Sequence, residues 1–141
     1  MSVDFLDSNI FLYSFDSENP GKQQTASRIL DSAALVRSAA ISFQVVQEVL
    51  NGITRRVRPS METLDVRRFF DRFLEPLWDV MPSRRLYDHA FDLHRRYRYS
   101  FYDSLIVAAA LEAGCDRLLS EDFQDGQVIE SLRIENPFLN L

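Results

Sequence analysis

Ser100-Phe101-Tyr102-Asp103-Ser104-Leu105-Ile106-Val107-Ala108-Ala109-Ala110-Leu111 decides how the rest of the chain reads. Ser100 and Asp103 stand at capping-box spacing, so a helix opens there. It runs to Ala113 and stops at Gly114. From Leu105 to Leu111 it is apolar on every side, which makes it a buried helix. Arg117-Leu118-Leu119 follows as a short strand ending in Ser120-Glu121-Asp122. Upstream the same alternation holds. Val3 to Leu6 is a strand ending at Asp7, and Asn9 to Phe15 supplies the first turns of a helix. Asp16 to Gly21 is a turn, and Lys22 to Ala34 a helix with Ala26, Ile29, Leu30 and Ala33 on one face. Ala39 to Ile41 is a strand. Ser42 caps a helix from Phe43 to Val57 that Pro59 ends. A helix over Ser60–Leu74, a strand over Leu77–Met81 and a helix over Ser83–Tyr97 come next, and Val128–Ile134 is a last edge strand. The pattern predicts an α/β fold, a mostly parallel central sheet flanked by helices, with residues 1–141 as one domain.

Single residue types exclude several chemistries. One cysteine, Cys115, makes neither an internal disulfide nor a cysteine-rich zinc site. His89 and His94 are five apart and do not share a helix face as a zinc pair would. The four glycines are too scattered for a phosphate-binding loop. Met1 to Phe15 has no basic residue ahead of its apolar stretch and carries two aspartates, unlike a signal peptide. No apolar run reaches 18 residues. A reducing cytoplasm and no membrane contact are therefore expected.

In sheets of this kind the ligand crevice lies beyond the carboxyl ends of the strands. Asp7 and Asp122 each follow a strand directly. Asp7 is also well placed for an Asx-turn into the next helix. Glu48 lies mid-helix beside the apolar face, with Gln44, Val45, Asn51 and Gly52 as its neighbours one turn away and no basic partner. Gly52 leaves space above it. Asp103 suits both a helix cap and a crevice position. Asp122 and Asp125 share a turn-rich segment, and position alone does not separate them. Carboxylates gathered without His or Cys make a hard-oxygen site for Mg²⁺ or Mn²⁺, which offsets their mutual repulsion. The matching reaction is metal-assisted phosphodiester hydrolysis.

Four segments, in order, resemble the PIN-domain ribonucleases, and within them the VapC-like toxins. They are Phe5-Leu6-Asp7-Ser8-Asn9, Ser42-Phe43-Gln44-Val45-Val46-Gln47-Glu48-Val49, Tyr102 to Ala110, and Leu118-Leu119-Ser120-Glu121-Asp122. In the last, Ser replaces the family's usual Thr. The resemblance implies a three-layer PIN-like sandwich, with Asp7, Glu48, Asp103 and Asp122 as catalytic metal ligands. Asn9, Ser120 and Asp125 would orient them. It further implies Mg²⁺- or Mn²⁺-dependent cleavage of RNA, homodimers, and inhibition by a small antitoxin protein. Some PIN domains lack nuclease activity, so a non-catalytic module binding RNA or protein is the alternative.

The net charge of −5 is unevenly spread. Residues 55–98 carry 11 basic and 7 acidic groups, while the segments on either side are acidic. Fifteen of the 16 basic residues are arginine; Lys22 is the lone lysine. Arginine suits bidentate phosphate contact, and Arg55, Arg56, Arg95 and Arg96 are the candidate RNA contacts, with Tyr87, Tyr97, Tyr99 and Phe101 nearby for stacking. Helix-face ion pairs such as Arg84 with Asp88 compete with that role. An aspartate-based phosphotransferase is disfavoured, because Asn9 stands where a second aspartate is needed.

Overall fold

The computed structural model describes residues 3–55 and 61–141. Strands β1 (Asp4–Leu6), β2 (Ala39–Ser42), β3 (Trp78–Val80), β4 (Arg117–Leu119), β5 (Val128–Ile129) and β6 (Leu132–Glu135) form one sheet in the order β3-β2-β1-β4-β6-β5. Four of its pairings are parallel, and only β5 against β6 is antiparallel. The helices are α1 (Ser8–Tyr13), α2 (Pro20–Val36), α3 (Phe43–Arg55), α4 (Thr63–Phe69), α5 (Arg84–Tyr97) and α6 (Phe101–Glu112). From β1 the chain steps outward to β2 and β3 through α1 to α4. It then returns across the sheet to β4 through α5 and α6. Right-handed crossovers put these two sets on opposite faces, giving three layers.

The central strands β1, β2 and β4 each carry consecutive buried residues, as strands covered on both faces do, while β3, β5 and β6 each expose one residue. Phe5, Ile41, Leu118 and Ile134 are wholly inaccessible to solvent. α6 spans the sheet, packing on β2 and β4, and its residues from Ser104 to Ala110 are all buried. Its ends match the sequence reading. The Ser100 hydroxyl accepts from the Asp103 amide at 3.1 Å. Gly114, at φ 71°, closes the helix; its amide reaches the Leu111 carbonyl at 3.0 Å and the Cys115 amide reaches Ala110 at 3.1 Å. Buried Ser104 is satisfied within the helix, donating to the Ser100 carbonyl at 2.9 Å.

Three expectations change. Pro20 starts α2 instead of lying within a turn over Asp16–Gly21, since the first helical position needs no N–H donor. The helix expected over Ser60–Leu74 is α-helical only over Thr63–Phe69 and widens into a π turn over Phe70–Leu74. Pro76 explains the widening, because its ring would strike the carbonyl four residues back, at Arg72. The single edge strand over Val128–Ile134 is instead a hairpin. Glu130, at φ 54°, turns the chain, so β6 joins β4 and β5 takes the edge. Pro59, the expected end of the third helix of the sequence, lies outside the described residues, as does Ser60.

Gly52 has a different purpose from the one expected. A Cβ there would collide with the Leu12 Cδ2 methyl, so the glycine lets α1 and α3 approach closely. Gly52→Val is expected to cost about 1–3 kcal/mol of stability in chemical denaturation. Combined with Leu12→Ala, the loss should be smaller than the sum of the two single losses. Strict additivity would show that the two residues do not compete for one space.

Candidate active site

β1 and β4 are neighbours, so the residues that leave their carboxyl ends emerge together. Asp7 caps α1, and its amide still extends the β ladder to the Leu119 carbonyl at 3.1 Å. Its carboxylate is buried, with 4% exposure. Oδ1 accepts from the Ser8 amide at 2.7 Å and Oδ2 from the Ser120 hydroxyl at 2.7 Å. That hydroxyl also accepts from the Asp122 amide at 3.1 Å and from the Asn9 side-chain amide at 3.3 Å. Asn9 Nδ2 reaches on to Asp122 Oδ2 at 3.2 Å. The Asx-turn reading and the site reading of Asp7 therefore coincide in one side chain.

α3 begins where β2 ends and carries Glu48 toward the same crevice. The first turn of α6 carries Asp103. Burial pushes the Asp7 carboxyl up from 3.8 to about 7, with smaller contributions from the negative charges of Asp122 and Glu48. The bonds from Ser120 and Ser8 act in the opposite direction without prevailing. Asp103 is raised too, first by burial and then by Asp122. The charges of Glu48 and Asp122 thus act on Asp7, and that of Asp122 acts on Asp103.

The donor set fits a divalent cation in its chemistry. It is all oxygen and self-repelling, and burial raises the Asp7 carboxyl to about 7, a cost that a bound cation would offset. A buried Asn9 Oδ1 beside it has no hydrogen-bond partner. Among the described residues, no three His, Cys, Asp or Glu side chains converge closely enough in this arrangement to share one ion.

The remaining expected residues fall in different places. Asp125 accepts from the Asn136 amide at 2.8 Å and secures the turn after β6. Arg55 is exposed at the end of α3, and Arg56 lies outside the described residues. Arg95 and Arg96 both pair with Asp92 at 3.0 Å, and Arg96 also meets Glu130 at 2.7 Å. His89 joins that Glu130 carboxylate at 3.1 Å, while His94 contacts the Tyr99 carbonyl, so the two histidines do serve separate partners. The aromatics stack on one another, Tyr87 on Phe101 and Tyr97 on Tyr99. Arg84 and Asp88 do not pair; Arg67–Asp71 and Arg68–Asp65 do.

Two features were not legible in the sequence. Gln44 donates to Glu48 Oε2 at 3.3 Å and to the Tyr102 carbonyl at 3.2 Å. Its signal was a polar residue on an apolar stripe, one turn before an acid without a basic partner. The other is a knot beside the crevice. Tyr13 donates to Glu121 at 2.5 Å, and Lys22 reaches both Tyr13 and Glu121 at 3.1 Å. These partners are up to 108 residues apart, beyond any local spacing rule.

An acidic crevice at the carboxyl edge of a parallel sheet, inside a three-layer α/β sandwich, defines the class of protein. Residues 5–124 match the PIN domain, and the chain belongs to that family. No curated protein matches it by sequence alone. Solved structures share its fold at low identity. A toxin–antitoxin complex from Klebsiella pneumoniae has a TM-score of 0.67 at 18% identity, covering 96% of this chain and 98% of the other. FitAcB from Neisseria gonorrhoeae has a TM-score of 0.67 at 14% identity, covering 97% and 99%. VapC20 of Mycobacterium tuberculosis, a sarcin–ricin-loop-cleaving toxin, has 0.59 at 20% identity, covering 84% and 91%.

The raised Asp7 carboxyl makes the metal-free fold pH-dependent. A folded value near 7 against an unfolded value near 3.8 means the native state binds the extra proton between them. This stability is fully present below about pH 4 and is lost as pH rises through 7. It amounts to about 4 kcal/mol at most. Asp7→Asn should therefore flatten the decline between pH 5 and 8, and raise metal-free stability at pH 8 by roughly 1–3 kcal/mol. Thermal melts in chelator across that range test it. An Asp7→Asn protein with an undiminished pH slope would contradict it.

Proposed function

We propose that this chain is a divalent-cation-dependent endoribonuclease of the cytoplasm and the toxin of a toxin–antitoxin pair. The observation that carries this reading is the buried Asp7 carboxylate, fixed by Ser120 and Ser8 and electrostatically linked to Glu48 and Asp122. The kinship in fold with toxins, one of which cleaves the sarcin–ricin loop, supports the substrate class. A small antitoxin protein is the proposed partner, and a homodimer the proposed assembly. The whole of residues 1–141 is proposed to be one PIN-like domain.

Asp7, Glu48, Asp103 and Asp122 would hold Mg²⁺ or Mn²⁺. Such an ion supplies neutralisation of the carboxylates, a lowered pKa for water and stabilisation of charge on a phosphoryl oxygen. Each Asp7 oxygen accepts one protein hydrogen bond and keeps a second lone pair for a ligand. Ser120 and Asn9 hold Asp7 and Asp122 in mutual register, and so act as orienting groups. Arg55 and Arg56 are proposed to meet RNA phosphate. Arg95 and Arg96 would exchange carboxylate partners for phosphate, which makes their contribution salt-dependent.

Asp103→Asn, with an unchanged circular dichroism spectrum, should lower RNA cleavage by at least about 100-fold, and EDTA should abolish cleavage by the unaltered chain. Sequencing RNA ends after brief expression in cells would identify the cut site. A folded Asp103→Asn chain that cuts at the original rate, or cutting in EDTA, would sink the metal mechanism. The competing reading is a non-catalytic RNA- or protein-binding module. It requires that Mn²⁺ give no heat of binding in calorimetry.

A further inference from the structure

Gln44 is 5% exposed, on a face of α3 otherwise built from Val45, Val49 and Ile53. Its Nε2 donates both hydrogens, one to Glu48 Oε2 at 3.3 Å and one to the Tyr102 carbonyl at 3.2 Å. Its Oε1 is buried without a partner. Turning the amide over would set that oxygen against two acceptors, so the orientation is determined by the donated bonds. The unpaired oxygen costs about 1–3 kcal/mol, a cost that leucine or methionine of similar size would avoid. A purely structural residue at this position has no need of the amide.

The amide's position accounts for it. Glu48 and Asp103 reach the crevice from different helices, and Gln44 joins the first to the peptide carbonyl just before the second. It also does so without charge. A lysine or arginine here would fix Glu48 equally well, but it would neutralise the carboxylate and oppose a cation. We infer that Gln44 is a positioning residue that holds Glu48 and the first turn of α6 in the relation needed to bind a divalent cation. This rests on the metal-site reading given above.

The test is Mn²⁺ titration calorimetry paired with thermal melting of the metal-free protein, on the full chain. Gln44→Met should weaken Mn²⁺ binding by 10–100-fold, as loss of ligand-orienting partners does. Its metal-free melting temperature should be unchanged or higher, because the unpaired oxygen is gone. Gln44→Asn, too short to bridge both acceptors, should weaken binding similarly and keeps the question open to test should the methionine variant misfold. In a Glu48→Gln background the Gln44→Met effect should disappear. Binding within twofold of the unaltered chain would overturn the inference alone. So would a Gln44→Met effect that persists fully without Glu48, or affinity that falls only in step with metal-free stability. If the unaltered chain binds no Mn²⁺, the metal-site reading fails first and takes the inference with it.

Discussion

The Ser120 hydroxyl is the interaction on which the site depends. It donates one hydrogen bond to Asp7 and accepts two, from the Asp122 amide and from Asn9. One atom thereby joins the end of β1, the first turn of α1 and the loop after β4. A hydroxyl can do this because it is donor and acceptor together. The parallel pairing of β1 with β4 is what brings those termini within its reach. Burial then does the rest. A carboxylate in this position is disfavoured as an anion unless something nearby compensates it, and the neighbouring acids add to the penalty.

The layers supporting this arrangement divide the work. α6 fills the space beneath the sheet with residues too apolar to solvate, so its polar first turn is the part left at the crevice. α3 starts at the end of β2 and brings in Glu48 from the side. The close approach of α1 and α3 at Gly52 and Leu12 keeps those two contributors in contact. The arginine-rich middle of the chain lies on elements that reach the sheet late, and part of its charge is met by Asp92, Glu130, Asp65 and Asp71.

Much of this was readable in the sequence wherever the signal is local. The all-round apolar run of α6 and its Ser100 and Gly114 ends are physical statements about single helices, and they match the structure. The strand ends before Asp7 and before Ser120 follow from apolar runs stopped by polar residues, with Asp122 two residues further into the loop than a position directly after the strand. Failures came where two distant segments decide the outcome. The role of Gly52 depends on Leu12, forty positions away, and the hairpin at Glu130 depends on a place beside β4. The bonds of Gln44 depend on α6. Periodicity identifies a polar residue on an apolar stripe, but not the acceptors that make it tolerable.

The knot of Tyr13, Lys22 and Glu121 gives the chain's lopsided basic composition a practical meaning. Because Lys22 is the lone lysine, a lysine-specific protease meets one target bond in these 141 residues, inside α2 and directly behind the loop that carries Asp122. In the folded protein that bond is held in a helix whose lysine is tied to the crevice wall. Its rate of cutting is thus a clock for opening of the first turn of α2, and it reads local looseness beside Glu121 without any added label.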